Sequence, residues 1–185
     1  MTRIVAGSAK GRRLVVPGFG TRPTSERARE ALFSTLGSYL DITGTRVLDL
    51  YAGTGAVGLE ALSRGAKHAT FVERNRAAAE VLRRNITTTG LGGAELVAAS
   101  VTAYLSAAPA PEPFEFVFAD PPYALSEPAL VQVLRTLADP RWTEPGAVVV
   151  VERAAGTGAP AWPVGYESIK EKRYGEGMLW YGRRR

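Results

Sequence analysis

The stretch Val47-Leu48-Asp49-Leu50-Tyr51-Ala52-Gly53-Thr54-Gly55-Ala56-Val57-Gly58 joins an apolar strand-like run to a helix-forming run through a glycine turn. Glycines let the backbone approach a ligand closely, and the helix start that follows offers free N–H groups. Arg46–Leu50 reads as a strand and Val57–Arg64 as a helix closed by Gly65. Ala69–Glu73 is the next strand, its last residue lying 20 positions after Gly53. Helix Ala77–Thr88 follows, with Gly90 as a stop signal. Then come strand Glu95–Ala98, a short helix through Leu105, strand Phe114–Ala119, helix Glu127–Ala138 and strand Ala147–Glu152. Regular alternation of this kind predicts an α/β fold with a doubly wound, mainly parallel sheet. Ser168–Arg173 and Met178–Gly182, around Tyr174-Gly175-Glu176-Gly177, predict an antiparallel hairpin on the sheet edge, after a surface loop over Ala154–Pro163.

Upstream of the alternation, Arg12–Pro17 reads as a short strand pairing with residues 3–7 in a basic hairpin. A loop over 18–23 leads to Thr24 or Ser25, either of which can cap a helix running to about Leu36. The expected organisation is a hairpin extension over 1–23 and a main domain over 24–185.

At 185 residues, with 45% apolar and 22% charged side chains, the chain suits one globular domain. No apolar run approaches the ~20 residues of a membrane span, and Met1–Gly7 lacks the apolar core of a signal peptide. With no cysteine and one histidine, disulfides, cysteine-ligated zinc and multi-histidine metal sites are excluded. A cytoplasmic address follows as the simplest expectation. The net charge is +5, and residues 1–35 carry all of it: seven basic residues (Arg3, Lys10, Arg12, Arg13, Arg22, Arg27, Arg29) against Glu26 and Glu30. Such asymmetry points to a polyanion, most often nucleic acid; the alternative is a solvated basic face. Arg183-Arg184-Arg185 reads as a frayed basic tail, His68 as a solvated surface residue, and Arg74, Arg76, Arg83 and Arg84 as an exposed helix face. Trp142 and Trp162 can stack on bases, while Trp180 sits in a strand-like run and is expected to be packed.

Read literally, Gly53-x-Gly55-x-x-Gly58 with Glu73 matches a dinucleotide fingerprint, so a nicotinamide oxidoreductase must be weighed. Asp49, just before the turn, argues against a pyrophosphate and suits the cationic amino-acid end of S-adenosylmethionine. Glu73 can accept from both ribose hydroxyls. A second motif, Asp120-Pro121-Pro122-Tyr123, follows the apolar run Phe114–Ala119. Asp120 can accept from an N–H. Pro121 and Pro122 stiffen the backbone, so that a carbonyl can point outward beside the carboxylate, and Tyr123 can stack on a flat ring. The bland alternative is a proline-rich turn with Tyr123 as ordinary packing.

Leu48–Gly55, Val72-Glu73 and Asp120–Tyr123 together resemble the class I S-adenosylmethionine-dependent N-methyltransferases. Gly11-Arg12-Arg13-Leu14 and Arg22-Pro23-Thr24-x-x-Arg27-x-Arg29-Glu30 narrow the likeness to the bacterial enzymes that methylate guanine N2 in a loop of small-subunit (16S) ribosomal RNA. That resemblance spans nearly the whole chain. It implies a seven-stranded class I methyltransferase sheet over 24–185, with the basic extension contacting RNA. It also implies that Asp49, Tyr51, Ala52, Gly53, Thr54 and Gly55 hold the methionine portion, that Glu73 binds the ribose, and that Arg74, Ser100 and Val101 border the adenine. Relatives often carry an acidic residue near Ser100; here a hydroxyl or a backbone carbonyl must serve. Asp120, Pro121, Pro122 and Tyr123 become the amine-capturing catalytic loop, and Lys10, Arg12, Arg13, Arg22, Thr24 and Arg27 the RNA contacts. The expected partner is ribosomal RNA or the small ribosomal subunit, with no membrane and no metal, and the expected state is a monomer. The rival readings are an adenine-N6 nucleic-acid methyltransferase, a glutamine methyltransferase acting on protein, and a non-catalytic RNA-binding assembly protein with a vestigial cofactor pocket.

Overall fold

The computed structural model describes residues 2–18 and 24–185. The expected loop over 18–23 therefore lies mostly outside the described residues, and Arg22 wholly so. Two short strands, β1 (Thr2–Arg3) and β2 (Arg13–Leu14), pair antiparallel in the register Thr2↔Leu14 and Arg3↔Arg13. The hairpin is thus present, with its regular strands shorter than the sequence pattern suggests. Helix α1 (Glu26–Leu36) follows, its start fixed by Ser25, whose hydroxyl accepts from the Ala28 N–H.

The alternating region then runs β3 (Arg46–Leu50), α2 (Ala56–Ser63), β4 (His68–Val72), α3 (Arg76–Thr89), β5 (Ala94–Val97), α4 (Val101–Ser106), β6 (Phe114–Ala119), α5 (Glu127–Leu137) and β7 (Thr143–Ala154). The chain closes with β8 (Tyr166–Tyr174) and β9 (Gly177–Arg184). Helix α3 is capped by Asn75 at its start and by Gly90, in a left-handed conformation, at its end. The seven strands lie in the order β5-β4-β3-β6-β7-β9-β8. The first five strands of this order pair parallel through four contacts, and the last two contacts are antiparallel. Strand order therefore reverses between β3 and β6, which are direct neighbours with Leu50 opposite Ala119. Crevices outside the carboxyl ends of strands at such a reversal are where open α/β sheets bind ligands.

Both faces of the sheet are covered, which is why β6 and β7 read as continuous apolar runs. On one face Val47, Phe116, Phe118, Val148 and Val150 pack under α1, α2 and α3, through Leu32, Leu59 and Leu82 among others. On the opposite face Leu48, Val117, Val149 and Val151 meet α4 and α5 through Val101, Leu105, Leu130 and Leu134. Trp142 is buried beside Tyr104, ring centroids 5.3 Å apart, and Trp162 leans on Tyr166 at 5.5 Å. Both indoles therefore serve packing. Among the described residues no helix is long and apolar enough to cross a membrane.

Three details depart from the sequence expectation. The Arg183–Arg185 end is not frayed. Arg183 and Arg184 finish β9, an interior strand in which Arg183 is paired on both sides; the Arg184 Nε donates to the Ala138 carbonyl at 2.9 Å, and the Arg185 N–H donates to the Gly165 carbonyl at 2.8 Å. Arg183 lies over the Tyr39 ring, 5.4 Å from its centroid. His68 is not a free surface group. It is half-buried, with Nε2 2.9 Å from Thr70 Oγ1 and 3.3 Å from Glu95, and burial is the main cause that holds its pKa below the ordinary value. Strand β7 begins at Thr143 rather than Ala147, because a register shift between Phe114 and Phe116 lets an extra segment with Gly146 at φ 84° bulge out.

The N-terminal segment is built into the helical layer. Ile4, Ala9 and Leu14 are buried in the same cluster as Leu32 and Leu59. Glu60, fully buried on α2, accepts from the backbone N–H groups of Val5 and Ala6, both at 2.9 Å, and from Arg64 Nε at 3.0 Å. Arg29 on α1 is also fully buried, its Nε 3.9 Å from Glu60 while Nη2 donates to Thr2 Oγ1 and the Arg3 carbonyl. Desolvation is the leading influence on Arg29, lowering its pKa against the pull of Glu60. Arg29 thus belongs to the interior and not to the surface basic excess. Removing one partner of a buried ionic cluster leaves the rest uncompensated. Glu60→Ala is expected to destabilise the fold by about 3–5 kcal/mol in urea unfolding; a loss below about 1 kcal/mol, the level of a surface pair, would contradict this anchoring.

Candidate active site

Asp49 ends up almost fully buried on β3, and its Oδ2 accepts from the Gly58 N–H at 3.0 Å. The reason is local. The residue preceding α2 is Gly55, which has no side chain to cap the helix and sits at φ 78°. Asp49 reaches across from the strand and supplies the missing acceptor for the third helical N–H. Gly58 is needed for a second reason: a Cβ there would lie 2.3 Å from the Phe71 ring, so only glycine lets α2 settle on β4. Burial drives the Asp49 pKa well above the ordinary carboxylate value; the Gly58 hydrogen bond opposes this, and the charges of Asp120 and Glu73 add to it.

Glu73, just past β4, holds the glycine turn by accepting from the Gly53 N–H at 2.8 Å, while its other oxygen accepts from the Asn75 N–H at 2.7 Å. A carboxylate has about four acceptor positions, so ribose hydroxyls can still be received. Tyr51 adopts φ 57°, the one non-glycine residue with positive φ among those described. That strain sits in the turn itself, as strained backbone tends to sit at functional sites. Ala52 donates to the Val72 carbonyl at 3.0 Å, and Gly55 to the Ala52 carbonyl at 2.8 Å. Thr54 is buried, and its carbonyl accepts from Asn85 Nδ2 at 3.0 Å. Ser100 caps α4 by accepting from the Ala103 N–H at 3.1 Å, and Val101 beside it is buried. Arg74 is exposed at the start of α3, near enough to Tyr51 to influence its hydroxyl.

Asp120 follows the last residue of β6, and β6 is the neighbour of β3 across the strand-order reversal. The motif and the glycine turn therefore lie at neighbouring strand ends, close enough that the Asp120 charge acts on Asp49. Beyond Asp120 the Pro122 carbonyl accepts from the Leu125 N–H at 2.9 Å, closing a turn, and Ser126 caps α5. Tyr123 at the tip of this turn is 93% exposed, an aromatic face open to solvent and not part of the core. The packing alternative for Tyr123 is thereby ruled out.

Two residues of the site were not anticipated. Asn85 on α3 is fully buried and joins the Thr54 carbonyl to the N-terminal segment, accepting from Val15 N–H at 2.7 Å and donating to the Val15 carbonyl at 3.0 Å. Glu152, on β7, stands one position beyond the pair Ala119↔Val151 and so beside Asp120. It accepts from the Thr24 hydroxyl at 3.1 Å. Burial, and secondarily the Glu152 charge, push Asp120 up to about 7, while Glu152 is raised by its own burial. Both strands end an apolar run with an acid, FVFA-Asp and VVVV-Glu, which is the signal in the sequence that pairs them. Of the basic residues, Lys10, Arg13 and Arg27 are exposed, Arg3 pairs with Glu26 at 3.3 Å, and Arg12 bonds the Thr89 carbonyl at the end of α3 while remaining exposed. A depression of about 450 Å³ lies among Lys10, Arg27 and Glu26.

The family comparisons agree with this geometry. Residues 2–183 match the family model described as "Conserved hypothetical protein 95". The chain belongs to this family. Ribosomal RNA small subunit methyltransferase D of Escherichia coli K12 is 37% identical over 175 residues, covering 94% of this chain and 85% of that protein. Its Haemophilus influenzae counterpart is 37% identical over 153 residues, 81% and 77% of the two chains. The solved structure of yhhF from Escherichia coli superposes with a TM-score of 0.86 at 34% identity, covering 99% of this chain and 97% of that one. The protein is a methyltransferase of class I architecture.

The raised Asp120 pKa has a consequence for stability. The folded state holds this proton up to about pH 7 and the unfolded state only to about 3.8, so ionisation costs stability as pH rises through that window. Asp120→Asn is therefore expected to raise Tm most above pH 7, with the gain fading towards pH 4. A pH-independent gain, or a gain that grows on acidification, would contradict the burial of this carboxylate.

Proposed function

We propose that this methyltransferase moves a methyl group from S-adenosylmethionine to the exocyclic N2 amine of a guanine in small-subunit (16S) ribosomal RNA. The carrying observation is the juxtaposition, across neighbouring strand ends, of a buried carboxylate behind a glycine turn and an Asp-Pro-Pro-Tyr turn with an exposed aromatic tip. A crevice whose carboxylates disfavour each other's ionisation fits a cationic ligand. Support for the substrate comes from the relatives' names, which specify small-subunit ribosomal RNA.

Asp49 and the Tyr51–Gly55 backbone hold the methionine end, Glu73 the ribose, and Arg74, Ser100 and Val101 the adenine border. The bound cofactor supplies an electrophilic methyl on a sulfonium, activated enough that the protein's task is placement. The guanine amine is a poor nucleophile because its lone pair is delocalised into the ring. Asp120 and the Pro121 carbonyl accept its two hydrogens and favour a pyramidal nitrogen with its lone pair aimed at the crevice. Pro122 stiffens that turn, and Tyr123 stacks on the base, worth about 1–3 kcal/mol in comparable single-strand binders. Orientation of this kind can supply ~7–11 kcal/mol of a barrier. The base must be unpaired or flipped to reach the turn. Residues 1–23 serve as the RNA-gripping extension, with Lys10, Arg12, Arg13 and Arg22 on phosphates, joined by Arg27 on α1 and by Thr24 next to the base site, in a cytoplasmic enzyme.

The test is methyl transfer from labelled cofactor to small-subunit RNA and to assembled small subunits, followed by nucleoside analysis. N2-methylguanosine is expected, and N6-methyladenosine would overturn the reading. Asp120→Ala is expected to remove transfer while leaving cofactor affinity by calorimetry within a few-fold. Retention of more than a few per cent of activity would rule out the amine-orienting role.

A further inference from the structure

Glu152 has no place in the amine-capturing turn, yet it shares the turn's crevice. The parallel register Ala119↔Val151 makes Asp120 and Glu152 the next positions on adjacent strands, and adjacent strands run about 4.8 Å apart. The Glu152 charge acts on Asp120. Both are partly exposed, so a ligand can reach them. Glu152 reaches one methylene further than Asp120. Its Oε2 accepts from Thr24, and with about four acceptor positions on a carboxylate it keeps capacity for a second donor. Gly177 lies against Oε1, and a Cβ at that position would come 3.4 Å from it.

Guanine and adenine present opposite patterns on the edge that would enter here. Guanine carries the N1–H donor immediately beside the N2 amine. Adenine carries a lone pair at N1 and a C–H at C2. When ionised, two neighbouring carboxylates can accept but not donate, so they match a donor–donor edge and repel a lone pair. Flipped bases are commonly read on this edge.

We propose that Glu152 is a specificity-determining residue that accepts the guanine N1–H while Asp120 takes the adjacent amine. This inference rests on the guanine-N2 reading above and deepens it. It gives Thr24 a defined part: its hydroxyl holds the Glu152 carboxylate, which ties the start of α1 to the base site.

The test uses the full chain and small-subunit RNA in which the modified guanosine, located by product mapping, is replaced by 2-aminopurine. That base keeps the 2-amine but has an acceptor at N1. A site built around an N–H can reject its absence by up to ~10⁴–10⁵-fold; for a single charge-assisted bond, wild type is expected to prefer guanine by roughly 100-fold in kcat/KM. Glu152→Gln, whose amide can donate to the N1 lone pair, is expected to lose about 100-fold on guanine and to bring the preference within about 10-fold. Cofactor affinity, measured alongside, is expected to stay near wild type, and Tm is expected to hold or rise, since a buried carboxylate that resists ionisation is replaced by a neutral amide. Thr24→Val is expected to raise KM with the guanine preference retained. Wild-type kcat/KM in Glu152→Gln, or equal losses on both bases with the preference intact, overturns the proposal and leaves Glu152 as a support for Thr24. A wild-type product other than N2-methylguanosine instead sinks the guanine-N2 reading, and this inference with it.

Discussion

Everything at the working end of this molecule answers to one electrostatic constraint: carboxylates gathered where water is scarce. Asp49, Asp120 and Glu152 stand at or near the carboxyl ends of β3, β6 and β7, three neighbouring strands, and Glu73 sits just past β4. Burial raises the first three, and neighbouring carboxylate charges add to the effect at Asp49 and Asp120. The fold carries these groups because apolar packing on both faces of the sheet and backbone hydrogen bonds fix the strands that present them. The hydrogen bond from Gly58 keeps Asp49 in place without neutralising it. A ligand bearing positive charge relieves the crowding, whereas a pyrophosphate would worsen it. That is the physical reason a glycine fingerprint shared with nicotinamide enzymes belongs here to a methyltransferase.

The N-terminal extension is bound to this end by specific polar ties. Glu60 takes the Val5 and Ala6 N–H groups, Asn85 links Val15 to the Thr54 carbonyl of the glycine turn, and Thr24 meets Glu152. Each tie joins the segment to an element that shapes the crevice. A shift of this segment would therefore be felt at the glycine turn and at Glu152, through contacts and not through distance.

Most of the sheet could be read from the chain. Strands β3 and β6 appear with the expected bounds because buried parallel strands are short apolar runs with sharp polar ends. Helix ends moved by a residue or so, as terminal turns do. What resisted reading was long-range. Arg29 counts as a positive charge in composition and is an interior group in space, a fact fixed by Glu60 on another helix. The arginine tail looks like a frayed end, yet β7 and β8 enclose it. In the site, Asp49, Glu73 and Asp120 announced themselves because each lies within a residue of a strand's carboxyl end, beside a turn. Asn85 was silent because a helical asparagine becomes a clamp only when two distant carbonyls reach it. Glu152 was overlooked because its meaning depends on which strand lies next to β6.

The central claim is that the crevice holds carboxylates waiting for a cation. The direct test is calorimetric titration of the full chain near pH 7 with S-adenosylmethionine and with its demethylated product, S-adenosylhomocysteine, in buffers of different ionisation enthalpy. The sulfonium favours ionised carboxylates, so the methylated cofactor should release more protons on binding than the uncharged thioether does. Equal proton release for the two ligands, or proton uptake with the sulfonium, would contradict the account.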